Sequence, residues 1–223
     1  MKRPPKAGKA DIAIKVAEAV VSAIPGVGGP LATLSELFEG PISRRRQRWL
    51  EELAETVSEL QRRVDELSEP LDENEAFITA VFQASQIAIR THQQDKIEAL
   101  RNAVKNSALR HAPDENLQLM FLRFVDEFTP LHLRVLAVFD NPGDWVAKTG
   151  RRFQISMGGL GTVITHCVPE LVHQNDLSNQ IYRDLQNRGL LEQGAGLNVA
   201  MSQQGLLSRR TSALGKEFLK FIS

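Results

Sequence analysis

Cysteine is almost absent from this chain: Cys167 stands alone among 223 residues. An intramolecular disulfide is therefore excluded, and the lone thiol fits a reducing compartment. No uncharged, unbroken apolar run reaches the ~18 residues that a spanning helix needs. The opening MKRPPKAGKADIAIK is basic and proline-bearing, and the apolar run after it is interrupted by Lys15 and Glu18. It lacks the continuous apolar stretch of a secretory signal. The cytoplasm is the expected location, with peripheral contact at the inner face of the membrane as the alternative.

Net charge is zero as well, but it is unevenly spread. Residues 1–50 hold 9 Lys/Arg against 4 Asp/Glu, residues 51–128 hold 8 against 16, and residues 129–223 hold 10 against 7. A basic N-terminal stretch thus precedes an acidic middle, an arrangement that admits an anionic partner at the N-terminus. With 42% hydrophobic and 24% charged residues, the composition is that of a globular protein. The length suffices for one large domain or two small ones.

Apolar spacing predicts a mainly α-helical protein. Residues 1–11 read as a disordered basic tail and residues 12–128 as an all-helical bundle. Its first part, 12–40, is a helical hairpin broken by proline and glycine: Ile12, Val16, Ala19, Val20 and Ala23 mark one arm, and Leu31, Leu34, Leu37 and Phe38 the other. Gly40–Pro41 is expected to end that second arm. A long helix over 42–67 follows, with Leu50, Leu53, Val57, Leu60, Val64 and Leu67 in steps of three and four. Further helices are predicted at Glu75–Thr91, Asp95–Leu109 and in PDENLQLMFLRFVDEF. In residues 129–223, Thr129 and Pro130 carry the preferred order for a helix start. Helices around 160–171 and 176–187 come next. A short β-hairpin is expected around Gly194–Gly196 and Val199–Leu207, and a closing helix in TSALGKEFLKFI.

Catalytic chemistry is hard to find. The five histidines include one local cluster, His166-Cys167 with His173, but Pro169 interrupts it and no four-ligand zinc spacing is present. His166 and Cys167 are neighbours about 100° apart on a helix, which is no nucleophile–base pair. PGVGGP lacks the Lys-Ser/Thr of a phosphate loop, and MGGLGT follows no clear strand. Asp72, Glu73 and Glu75 are placed at a helix N-terminus, where they favour the dipole. No catalytic, cofactor or metal residue is predicted; an unrecognised hydrolase or nuclease is the residual enzyme class.

Two stretches invite binding readings. Residues 19–35 carry no charge and are flanked by Lys2, Arg3, Lys6, Lys9 and Lys15 on one side and Arg44, Arg45, Arg46 and Arg48 on the other. Ile24, Val27, Leu31, Leu34, Leu37, Phe38 and Trp49 are the candidate membrane- or partner-engaging residues. Each arm of about a dozen residues spans only ~18 Å, short of a ~30 Å hydrocarbon core. Ala23–Phe38 is therefore either an interfacial hairpin or a tight corner between packed helices.

The C-terminal residues carry a likeness. DLSNQIYRDLQNRGLLE and SRRTSALGKEFLKFIS, through Leu185, Gly189, Leu190, Leu191, Thr211, Leu214, Gly215 and Phe218, resemble the end of bacterial winged-helix domains. That resemblance implies a winged-helix-like unit over 129–223. If it reads DNA, Asn179, Gln180, Arg183, Arg188, Arg209 and Arg210 are the candidate contacts, with Arg151-Arg152 adding positive charge. Across the whole chain, helix order with EALRNAVKNSAL and FVDEFTPLHLRVLAVF is similar to the abortive-infection alpha family. This implies a non-enzymatic part in phage defence, acting through a protein partner, self-association or peripheral membrane contact. A DNA-binding transcriptional regulator is the alternative. The short heptad seam permits a dimer.

Overall fold

A computed structural model describes residues 32–194 and 196–223, with side chains from residue 40 onward. The basic tail, the first arm of the expected hairpin, and Ile24, Val27 and Leu31 lie outside the described residues. The protein is mainly helical, with one small antiparallel sheet of two strands among the described residues. It divides into two compact units: one runs to Asp126 and takes back Phe221–Ser223, and the other is Glu127–Lys220.

The first unit is built on α1, Ala32–Arg62, which continues without interruption through Pro41. This corrects the expectation of a break at Gly40–Pro41 and a long helix over 42–67. Proline removes one helical hydrogen bond and crowds the carbonyl four residues back, a cost of about 3 kcal/mol that a long packed helix can absorb. The far end stops early for a different reason. Leu67 is extended and forms an isolated antiparallel bridge with Leu109, while the Ser68 N–H donates to the Ala108 carbonyl. A 3₁₀ turn at Val64–Glu66 makes the crossing. Leu53, Val57 and Leu60 are buried as the seam requires, but Val64 is 63% exposed.

Against α1 pack α2, Glu75–Arg90, and α3, Gln94–Ser107. Asn74 caps α2 by accepting from the Phe77 N–H at 2.8 Å, offsetting one of the unpaired amides at a helix start. Alanines 80, 84, 88, 99 and 103 are buried and let the helix backbones approach. Arg101–Glu52 at 3.3 Å and Lys105–Glu59 at 2.5 Å tie α3 to α1 along the outside. The Glu59 carboxyl is held below its ordinary pKa, first by the Lys105 hydrogen bond. Helix α4, Glu115–Glu127, adds Phe121, Leu122 and Val125. Phe221 returns to lie 5.7 Å from the Phe121 ring, and its carbonyl accepts from Asn106 Nδ2 at 2.9 Å.

The second unit opens with α5, Pro130–Asp140, and α6, Pro142–Lys148. Strand β1, Met157–Gly158, leads into α7, Leu160–Cys167; a 3₁₀ turn at Pro169–Leu171 precedes α8, Asn175–Asn187. Strand β2, Met201–Ser202, runs antiparallel to β1 with Met157 opposite Ser202. The four-residue α9, Gln203–Leu206, and α10, Ala213–Phe221, complete the unit. The expected strand pair thus draws one partner from ahead of α7, because β2 has β1 as its hydrogen-bonding neighbour. Two glycines fix this packing. A Cβ on Gly159 would lie 2.4 Å from the Leu197 carbonyl oxygen, and one on Gly215 would lie 2.1 Å from that of Leu190.

Candidate functional site

Helix α8 ends as its sequence directs. Gly189 takes a positive φ of 71°; its N–H donates to Gln186, and the Leu190 N–H donates back to Leu185, both at 2.9 Å. This is the Schellman closure that glycine permits at low cost. Ile181, Tyr182 and Leu185 face the core, so the opposite side of α8 is the unit's accessible helical face. Its predicted contact residues do not behave alike. Gln180 is exposed and donates to Asp184 at 2.8 Å. Arg183 is exposed, with no ion-pair or hydrogen-bond partner among the described residues.

Arg188 pairs with Glu127. Arg209 donates through Nε to the Asp140 carbonyl at 2.7 Å and pairs with its carboxylate at 3.4 Å. Arg210 turns inward, donating to the Gly205 carbonyl at 2.8 Å, and its Nε is buried without a partner. Arg151 donates to the His166 carbonyl. Arg134, too, is engaged, with Glu170 at 2.5 Å.

Asn179 lies elsewhere, in a cleft of about 290 Å³ between α7, α8 and the loop before β2. Thr162 and Thr165 from α7, Asn175 and Ser178 from α8, and Asn198 from the loop share it. No charged side chain lines this cleft. Ser178 is only 5% exposed, and its Oγ is buried with no hydrogen-bond partner. A buried hydroxyl left in that state costs about 1–3 kcal/mol. Sequence spacing reveals Asn175, Ser178 and Asn179 as one helix face, but nothing in it brings α7 and Asn198 to them.

A second cleft in the same unit, about 440 Å³, is lined by Phe128, His132, Asp184, Asn187, Glu127 and Arg188. His132 stacks on Phe128 with ring centres 5.0 Å apart. Its Nδ1 accepts from the Thr129 N–H, and its Nε2 lies 3.3 Å from Asp184 Oδ2. These partners join the start of α5 to α8, which is a structural task.

His166 and Cys167 are likewise structural. His166 lies 3.0 Å from Thr149 Oγ1 and edge-on to Phe153; burial pushes its pKa down, and Arg151 adds to this. Burial pushes the Cys167 thiol up, outweighing the pull of Arg151, which makes it a poor nucleophile. No group of three or more acidic, histidine or cysteine side chains suited to a metal occurs among the described residues.

In the first unit, Trp49 leaves the candidate membrane set. It is 1% exposed, and its indole N–H donates to Ser85 Oγ at 2.8 Å, so it is a core residue with its polar edge satisfied. Leu34, Leu37 and Phe38 fall within α1, but their side chains lie outside the described set. No described helix is long and apolar enough to cross a membrane. No family model, curated protein or solved structure matches this chain.

Proposed function

We propose that this chain is a non-enzymatic interaction protein whose C-terminal unit is a winged-helix-type module that engages a protein partner. Helices α5, α6, α7 and α8 with β1 paired to β2 support that reading of the module only in outline, with α8 in the recognition position and one two-stranded sheet among the described residues in place of a separate hairpin wing. The observation that carries the choice of partner is the uncharged cleft beside α8. Its hydroxyls and amides suit the neutral polar groups of a polypeptide. Nucleic-acid backbone binding draws instead on several accessible cations, and of the predicted contact cations Arg188 and Arg209 are already paired with carboxylates, leaving Arg183 exposed.

The likeness to the abortive-infection alpha family makes phage defence the setting, with residues 12–40 as the element that meets a membrane or partner. A bacterial host expressing the chain is expected to plate phage less efficiently than one carrying an empty vector. The double variant Asn175→Ala/Asn198→Ala, folded by circular dichroism, is expected to lose that protection. Equal plating with and without the chain across a phage panel, or protection indifferent to the cleft, overturns the reading.

A DNA-binding regulator is the second reading, favoured by Gln180 and Arg183 on the exposed face of α8. Fluorescence anisotropy of labelled duplexes separates the two. Protein contact predicts nothing tighter at physiological salt than the non-specific range of about 10⁻⁴–10⁻⁶ M. Tighter, salt-steep binding that disappears in Arg183→Ala decides for DNA.

A further inference from the structure

The turn between α2 and α3 meets α1 at a cleft of about 210 Å³ with an unusual lining. Arg44, Arg45 and Arg48 come from α1, spaced so that all three reach one flank. Thr91, His92 and Gln94 come from the turn, and buried Trp49 also borders the cleft. No carboxylate is among the lining residues.

Three other arginines of this unit pair with carboxylates, Arg63 with Glu59 and Glu66, Arg90 with Asp126, and Arg101 with Glu52, while Arg62 and Arg123 stand singly without such a pair among the described residues. The three cleft arginines have no carboxylate or carbonyl partner among the described residues. Like charges within one helical turn repel, so this arrangement costs stability unless an anion sits between them. Guanidinium groups present planar forks that match phosphate oxygens in pairs.

We infer that this cleft binds a phosphate-bearing anion through Arg44, Arg45 and Arg48, with His92, Thr91 and Gln94 as its polar wall. The inference does not rest on the contact reading of the C-terminal unit. At about 210 Å³ the space is smaller than the ~300–1,000 Å³ of pockets that hold whole drug-sized ligands. It therefore fits one phosphate head, not a complete nucleotide. That head has two sources, a soluble phosphate or a phospholipid.

Full-length protein should be titrated calorimetrically with inorganic phosphate and pyrophosphate. In parallel it should be sedimented with phosphatidylglycerol–phosphatidylcholine vesicles and with pure phosphatidylcholine vesicles. Saturable binding of phosphate or pyrophosphate assigns the soluble source, and binding confined to the phosphatidylglycerol vesicles assigns the lipid. In either case the triple variant Arg44→Gln/Arg45→Gln/Arg48→Gln is expected to weaken binding at least about tenfold, given three charge-assisted contacts. The charge-matched variant Lys148→Gln/Arg152→Gln/Lys216→Gln is expected to bind as the parent does. If the triple variant fails to fold, the single changes Arg44→Gln and Arg48→Gln, both at exposed positions, are each expected to weaken binding measurably. No binding to any probe, binding unchanged by the cleft substitutions, or equal loss in the charge-matched variant overturns the inference.

Discussion

Gly215→Ala is expected to destabilise the C-terminal unit by about 3 kcal/mol or more, at or beyond the upper end of ordinary overpacking costs. The added Cβ would sit 2.1 Å from the Leu190 carbonyl oxygen. That neighbour is backbone, not a side chain that can swing aside. Leu190 is itself held, because its N–H closes α8 and its carbonyl accepts from the Ser212 N–H at 3.0 Å. Relief therefore means moving α10 away from the end of α8. At roughly 2–4 °C per kcal/mol for a chain of this size, the melting temperature should fall by about 6–12 °C. Gly194→Ala is the control, since nothing lies within 4 Å of its added atom. Matching melting curves for the two variants would sink the argument.

Trp49→Ala should cost about as much in the first unit, roughly 3–5 kcal/mol, the usual range for emptying a buried aromatic site. Its ring fills space between α1 and α2 and its N–H satisfies Ser85, which in turn donates to the Val81 carbonyl at 2.6 Å. Ser85→Ala leaves the ring in place and strands a buried donor, so it should cost about 1–3 kcal/mol. Urea melts followed by circular dichroism should show this order of midpoints: parent, Ser85→Ala, Trp49→Ala. An interfacial anchor behaves in the opposite way. Unchanged midpoints together with weakened vesicle binding would return Trp49 to the membrane set.

Local signals in the sequence suffice where local chemistry decides the outcome. Thr129 and Pro130 open α5 because a cap and a pre-set φ act within one turn. Leu53, Val57 and Leu60 are buried because their spacing alone puts them on one helix face. Where α1 ends is set by Leu109, which is remote in sequence, so the heptad pattern runs on past the true stop. At Pro41 the local breaker signal likewise does not stop the helix. Strand β1 has only two residues and exists because Met201 and Ser202 lie beside it.

The candidate site divides along the same line. Gln180 and Arg183 are legible as an exposed helical face. The partners of Arg188 and Arg209 are 61 and 69 residues away, so spacing cannot show that these cations are already engaged. The arginine-lined cleft is half visible: the RRRQR run stands out, but His92 and Gln94 reach it only through the packing of three helices.

The return of Phe221–Ser223 to the first unit has a consequence for synthesis. The helical unit is interrupted by a continuous segment, Glu127–Lys220, and receives Phe221–Ser223 only afterwards. At about 5–20 residues per second, a ribosome spends on the order of 5–20 s on that segment. During that interval Phe121 lacks its neighbour Phe221, and Asn106 lacks the carbonyls of Phe221 and Ser223 that its amide will later bind. The inserted unit therefore has time to fold before Phe121 and Asn106 of the helical unit meet the residues they pack against.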